Sequence, residues 1–373
     1  MAGIGGRAGA VSASGSDYLY FIPKTINPQF DSRRSKRIEE GMNMLSFDEK
    51  EFMAEELRGL ALRGKIEEVV DEICREGYSN LFWIGIGGTY AYLSQMHHII
   101  KSHSRILSFA EEAAEFAAAG NKQFDKNSVV IITSVTGDTK EVNEAVRIAR
   151  EAGARVIGFV GSLDTPLGQS VTYPVACVGA LFYKLYYTAF RFMYQAGDFP
   201  EYEQFVKEME KLPQALLKAK EEFDPAAEKY AEAHGMEPLT YLIGAGNLWG
   251  YAYCYAMCVL EECQWIRTKA VNSGEFFHGT LELIEKGVNV LAFQGEDESR
   301  PLTDRAVRFL ERVTDKLTVI DTRDYALEGI SPEFRGILSP MVMYQLCERM
   351  SKHLEEVRKH PLELRRYYRR LSY

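Results

Sequence analysis

The sequence predicts an α/β protein made of two duplicated, doubly wound parallel sheets, with helical segments at its N- and C-terminal sides. Three observations carry this. Val129 to Ile132 is an unbroken β-branched run, the composition of a strand covered on both faces. It stops at Ser134-Val-Thr-Gly-Asp-Thr139 and passes into Glu141–Arg150, where Val142, Ala145, Val146 and Ile148/Ala149 fall on or near one helical face. Strands alternate with helical stretches throughout residues 80–180. The opening of that unit then recurs about 158 residues later, Phe82-Trp-Ile-Gly-Ile-Gly-Gly against Leu242-Ile-Gly-Ala-Gly-Asn, which indicates internal duplication.

Taken in order, residues 1–17 are rich in Gly, Ala and Ser and read as a mobile tail. Residues 18–43 are mixed and read as an arm laid across another subunit or domain, so residues 1–44 form an extension. Ser46 with Glu49 three residues on is a capping-box pattern, and one or two helices run from there to about Glu76. Leu81–Ile84 is the first buried strand, Gly85-Ile-Gly-Gly-Thr-Tyr90 its turn, and Ala91–Ile100 a helix. A short strand at Arg105–Ser108, a helix at Glu111–Ala119, a strand at Arg155–Val160, the turn Gly161–Asp164 and a strand at Tyr173–Val178 complete a first unit over residues 45–180. Residues 181–236 hold two linking helices, split near Gly197-Asp-Phe-Pro200. In the first, Tyr183, Tyr186, Tyr187, Phe190 and Tyr194 form an aromatic stripe expected in the core or a subunit contact. The second unit, residues 237–330, has strands at Pro238–Ile243, near Thr268–Val271, at Val288–Phe293 and at Leu317–Asp321, with a helix over 247–263 and another starting near Thr280. A helix and a basic, tyrosine-rich tail occupy residues 331–373.

Composition narrows the function. A chain of 373 residues is about two domains long at roughly 150 residues each. A net charge of −9 argues against a nucleic-acid binder, though not against a local basic pocket. Six cysteines without a CxxC pair read as reduced, packed thiols of a cytoplasmic protein. No apolar run reaches the roughly 18 to 20 residues of a membrane span, and no secretory signal pattern opens the chain. The dinucleotide fingerprint GxGxxG fails at Tyr90, and Gly244, Gly246 and Gly250 give only GxGxxxG. Adjacent His97 and His98 lack the i, i+4 spacing of a metal pair and read as packing or surface.

The chemistry-bearing stretch is the hydroxyl loop. It lies between the C-terminal end of a strand and the start of a helix, where backbone N–H groups and the positive helix end suit a phosphate. Ser134, Thr136 and Thr139 can each donate to it. The same residues could instead simply cap the helix. Glu262 ends the apolar helix Ala256-Met-Cys-Val-Leu-Glu-Glu262, where partial desolvation suits a general base. His278, between two phenylalanines and Gly279, is a side chain able to move a proton near neutral pH. Glu261 and Glu275 are the alternative carboxylates.

From about residue 45 to the end, the chain resembles the sugar isomerase (SIS) family. The motifs are Gly87-Gly88-Thr89-Tyr90, Ser134-Val-Thr-Gly-Asp-Thr139, and Glu262 followed by Ser273-Gly-Glu-Phe-Phe-His-Gly279. The spacing of sixteen residues between Glu262 and His278 is similar to that in the isomerase domain of glucosamine-6-phosphate synthase. Arg300-Pro-Leu-Thr-Asp-Arg305 and the terminal His360-Pro-Leu-x-x-Arg-Arg-Tyr367 fit the fructosamine-6-phosphate deglycase branch, of the fructoselysine type. The synthase's amidotransferase domain and its tail lysine are not matched. The resemblance implies a sugar 6-phosphate substrate carrying an amine at C1. Its phosphate would be held by Ser134, Thr136, Thr139 and the Gly87-Gly88-Thr89 turn, with Glu262 and His278 as the catalytic pair. It implies no metal or other cofactor, no nucleic acid, and a homodimer or higher even oligomer whose sites are shared. It also places His353, Arg365 and Arg366 as candidate substrate-binding residues, because the family's tail closes over the sugar, and Glu275, which in the family's homodimer would lie near the same pocket. An aminosugar or ketose/aldose isomerase and a non-catalytic sugar-phosphate regulator remain alternatives on this scaffold.

Overall fold

The computed structural model describes residues 44–372, which belong to one compact unit. The expected mobile tail and crossing arm, residues 1–43, lie outside the described residues. Helices α1 (Glu49–Leu60) and α2 (Arg63–Glu76) come first. The cap of α1 is Asp48, whose carboxylate accepts the Glu51 N–H at 3.0 Å, and not Ser46, which sits at φ 48°. A second good N-cap two residues on displaces the capping box.

The first sheet uses β1 (Leu81–Gly85), β2 (Ser108–Glu112), β3 (Val129–Ser134), β4 (Arg155–Val160) and β5 (Tyr173–Ala176) in the order β2-β1-β3-β4-β5, all parallel. Its crossovers contain α3 (Gly88–His103), α4 (Ala113–Ala119), α5 (Lys140–Glu151) and the short α6 (Pro166–Ser170), which follows the expected turn at Gly161–Asp164. β1 and β3 are buried throughout. Alternate residues face opposite cores: Leu81, Trp83, Val129 and Ile131 one, Phe82, Ile84, Val130 and Ile132 the other.

β2 lies three residues later than expected. Leu81 pairs with Ser108 and Gly85 with Glu112. As an edge strand it is half-buried along its length, so Glu111 and Glu112 are tolerated at its end and mimic a helix start in the sequence. Glu112 does cap α4, accepting the Glu115 N–H at 2.8 Å.

Between the sheets run α7 (Leu181–Gln195), α8 (Tyr202–Met209) and α9 (Leu212–His234), three helices where two were expected. Pro213 makes the difference: it stands in the first turn of α9, where a missing N–H costs nothing. The α7 stripe goes to the core. Tyr183, Tyr186, Tyr187 and Phe190 are buried, Tyr186 stacks on Phe190, and Tyr194 packs half-buried at the margin.

The second sheet, β6 (Leu239–Gly244), β7 (Arg267–Asn272), β8 (Asn289–Gln294) and β9 (Lys316–Asp321), has the order β7-β6-β8-β9, again parallel. This is the order of the first four strands of sheet one, as duplication requires. α10 (Trp249–Cys254) continues as a π-helical segment, Tyr255–Glu261, and α11 (Arg300–Val313) follows β8. The helix expected near Thr280 is only a 3₁₀ turn, Thr280–Leu283. α12 (Pro332–Arg358) packs along α9, and the tail folds back beyond it.

Candidate functional site

The loop after β3 does not cap its helix through the side chain at the N-cap: Thr139 holds that position in α5, and its hydroxyl makes no cap bond. Ser134 is buried; its oxygen accepts the Gly137 N–H at 3.1 Å and lies 3.4 Å from the Thr139 hydroxyl, so one of the two hydroxyls donates to the other and a single proton of the pair is left to donate. The Asn143 amide pins the loop's carbonyls, donating to Gly137 at 3.1 Å and Thr139 at 2.9 Å. Gly137 is at φ 64°, and a Cβ there would lie 2.4 Å from Thr165, so only glycine fits. Sequence reading singled out neither Asn143 nor that contact.

Across from the loop stands the turn after β1. Gly88 opens α3, whose first-turn N–H groups have no intrahelical partner. A Cβ on it would reach 3.4 Å from the Cys258 sulfur, so the π-helical segment approaches this turn closely. That segment sets the position of the candidate base: the Glu262 N–H bonds to Met257 O at 3.0 Å, a span of five residues. π-turns of this kind recur at functional sites.

These pieces enclose a cleft of about 980 Å³, lined by Gly87, Gly88, Thr139 and Glu262 among the expected residues. Asp138, Lys140, Glu141, Met257, Cys258, Glu261 and the tail residues Tyr368 and Arg369 complete much of the wall. The Arg365 guanidinium donates to Glu262 at 2.8 Å and to the Cys263 sulfur at 3.3 Å. Glu262 is therefore a partly exposed carboxylate facing a cation, not one set in an apolar wall. Glu261 is tied to the Thr268 hydroxyl at 2.5 Å.

Thr136 and Asp138 form the outer rim. The Thr136 hydroxyl donates to Asp138 at 2.5 Å, and Arg369 donates to Thr136 at 3.1 Å and to Asp138 at 2.9 Å. Hydrogen bonds from Thr136 and then Arg369 hold the Asp138 carboxyl below its usual range. Burial pushes the Cys263 thiol up, and Cys258 is pushed up by its hydrogen bond with Cys254 and by burial. Both line this region as thiols, not thiolate nucleophiles.

Other expected residues lie elsewhere. The Thr89 hydroxyl is spent on its own turn, between Ile86 N at 3.1 Å and Ile86 O at 2.9 Å. His278 and Glu275 are exposed on the 3₁₀ turn after β7 and do not line the cleft. His353 is a packing residue: buried on α12, its Nε2 lies 2.9 Å from Asp224, which also accepts from Arg349 at 2.8 Å. Arg366 lies over the Trp265 ring at 4.2 Å. The tail does reach the cleft, but through Arg365 and Arg369. Arg369 belongs to the basic run that drew attention to Arg365 and Arg366; only the fold-back of the tail selects it.

Residues 78–177 match the SIS domain family model. The fructosamine deglycase of Bacillus subtilis (strain 168) is 29% identical over 318 residues, 83% of this chain and 97% of that protein. The fructoselysine 6-phosphate deglycase of Escherichia coli O157:H7 is 27% identical, over 81% and 89% respectively. Among solved structures, one named as a phosphosugar isomerase of Bacillus subtilis superposes with a TM-score of 0.78 at 28% identity, covering 84% of this chain and 99% of that one. Residues 78–177 thus match a SIS domain, and the chain is similar over most of its length to the fructosamine and fructoselysine 6-phosphate deglycases.

Proposed function

We propose that the protein is a deglycase that converts a fructosamine 6-phosphate to glucose 6-phosphate and a free amino acid. The observation that carries this is the cleft in which a hydroxyl loop at a helix N-terminus faces Glu262. The substrate phosphate sits on Ser134, Thr139 and the Gly88 end of α3, with Thr136 and Arg369 at the rim. C1 of the ketoamine then lies toward Glu262. The Glu262 carboxylate takes a proton from C1 to give the enaminol and returns it at C2, which leaves an imine between C1 and nitrogen. Water adds to C1, the C–N bond breaks, and the amine leaves as the amino acid while C1 becomes the aldehyde. The carbonyl and imine carbons stabilise the intermediate carbanion, so general acid–base groups suffice and the reaction is metal-independent.

His278 opens the sugar ring by moving a proton at the ring oxygen. It is exposed and away from its own chain's cleft, so in this reading it serves the cleft of a second copy in a cytoplasmic homodimer. Mixing Glu262→Gln with His278→Asn protein then restores part of the activity, because a mixed dimer holds one intact site; a monomer at all working concentrations would remove the shared site.

Incubation with fructosamine 6-phosphates of several amino acids, with glucose 6-phosphate and free amino acid measured together, tests the reaction. Equal release of both is expected. Isomerised sugar with no amino acid released would instead mark an isomerase.

A further inference from the structure

The duplication that builds the cleft builds it twice. In the first, the glycine turn after β1 faces the helix that follows β6. In the second, Gly246, from the turn after β6, and Gly250, on α10, face α3, the helix that follows β1. This second cleft measures about 590 Å³. Its α3 wall carries Gln95, His97, His98 and Lys101, and Trp249 and Tyr253 stand opposite.

One side chain there is built for a partner it lacks. Gln95 is 1% exposed, and neither its amide nitrogen nor its amide oxygen has a hydrogen-bond partner. A buried amide with both ends unmet is costly unless a ligand or water meets it. Lys101 is exposed and has no carboxylate partner among the described residues. Burial lowers the pKa of both His97 and His98, with Lys101 adding to the effect, so near neutrality Lys101 is the cleft's cation. Asp297 stands beside this cleft's Gly246, where a Cβ would lie 2.5 Å from its carboxylate oxygen. Asp297 belongs to the loop after β8, the counterpart of the hydroxyl loop. Its carboxylate accepts the Asn247 N–H at 2.5 Å and the Ser299 hydroxyl at 2.6 Å. A carboxylate therefore already fills the place that a phosphate takes in the first cleft, and a phosphosugar is repelled. What fits is a small molecule with a negative group at one end and a positive group at the other, and an apolar or aliphatic part to lie against the rings.

We propose that this second cleft binds a free α-amino acid as its zwitterion, its carboxylate on Lys101, its ammonium toward Asp297, and the Gln95 amide between them. The inference stands on the cleft's own groups and does not require the deglycase reading, although an amino acid is a product there.

Calorimetric titration of the whole chain with L-lysine, L-asparagine and L-phenylalanine tests it, without any turnover. At least one binds, and the corresponding decarboxylated amine and N-acetyl derivative bind at least about tenfold more weakly, since each lacks one ionic contact. Lys101→Ala weakens binding by about tenfold, Gln95→Leu weakens it as well, and Glu262→Gln leaves it unchanged. Lys101 is exposed, so its variant keeps the test valid if Gln95→Leu fails to fold. The proposal is overturned if none of the three binds at millimolar concentration, which would leave Gln95 to an ordered water. It is also overturned if Lys101→Ala binds as well as wild type, or if Glu262→Gln abolishes binding and so places the amino acid in the first cleft.

Discussion

The loop after β3 and the loop after β8 hold the same place in the two sheets. One runs from Ser134 at a strand end to Thr139 at the N-cap of α5, the other from Gln294 at a strand end to Ser299 at the N-cap of α11. The turns they face also match, with Gly87 at φ 57° and Gly246 at φ 54°. The first loop carries the hydroxyls of Ser134, Thr136 and Thr139 and one carboxylate, Asp138, which Thr136 and Arg369 hold. The second contains Glu296, Asp297 and Glu298, and Asp297 bonds the N–H of Asn247, the residue after Gly246. The residue after Gly87 is Gly88, on the first cleft. The second loop thus bonds its own carboxylate to the turn it faces, whereas among the described residues no side chain of the first loop bonds the Gly87-Gly88 turn. Duplication kept the backbone, and in the function proposed above a few side chains decide which copy takes the phosphate.

The largest test of this asymmetry is catalytic. Glu262→Gln keeps the shape of the side chain but cannot take a proton, so kcat with a fructosamine 6-phosphate falls by about 10² to 10⁴-fold while the phosphate end still binds. Wild-type kcat would pass the role to Glu261 or Glu275.

The next effect lies outside both loops and sets the pH for comparing stabilities. Burial raises the Glu56 carboxyl from an ordinary 4.5 to about 7, although the Tyr183 hydroxyl bonded to it at 2.7 Å works the other way. A raised carboxyl favours the folded state when protonated. Its stabilisation is present below pH 4.5 and is lost as pH rises through about 7. The difference of 7 − 4.5 corresponds to at most about 3 kcal/mol. Glu56→Gln should flatten this part of a denaturation profile taken from mildly acid to mildly alkaline pH; an unchanged slope would assign it to other groups.

At fixed pH the loops should part company. Asp297→Ala removes an internal acceptor and should cost about 1 to 2 kcal/mol of stability, seen in chemical denaturation, without raising KM. A rise in KM with no loss of stability would place the second loop at the substrate. Arg369→Ala has the smallest effect. Arg369 is exposed, so KM should rise about two- to fivefold with stability unchanged; an unchanged KM would leave Arg369 as a surface clasp.

The β-branched run of β3 and the glycine turns announced the sheets because buried parallel strands have few compatible compositions. The half-buried β2 did not announce itself, since an edge strand tolerates Glu111 and Glu112. Within the site, Ser134, Thr139, Gly87 and Gly88 were legible because a strand–loop–helix junction places its own residues. Glu262 was legible from its place at a helix end, but its partner Arg365 comes from a tail more than a hundred residues away. His353 shows the converse. A histidine near a basic tail looked accessible, and only the packing of α9 against α12 shows it bonded to Asp224.

The central claim, that the hydroxyl loop of the first copy binds the substrate phosphate, is tested most directly by titrating a fructosamine 6-phosphate into Ser134→Ala/Thr136→Ala protein made inactive by Glu262→Gln. Each lost donor to a charged ligand is worth about 1.5 to 3 kcal/mol. The dissociation constant should rise at least about tenfold relative to Glu262→Gln alone, with the protein still folded and its melting temperature lowered only by the loss of the Gly137 N–H bond to Ser134. An unchanged dissociation constant would mean that the phosphate binds elsewhere and that the hydroxyls of this loop only cap a helix.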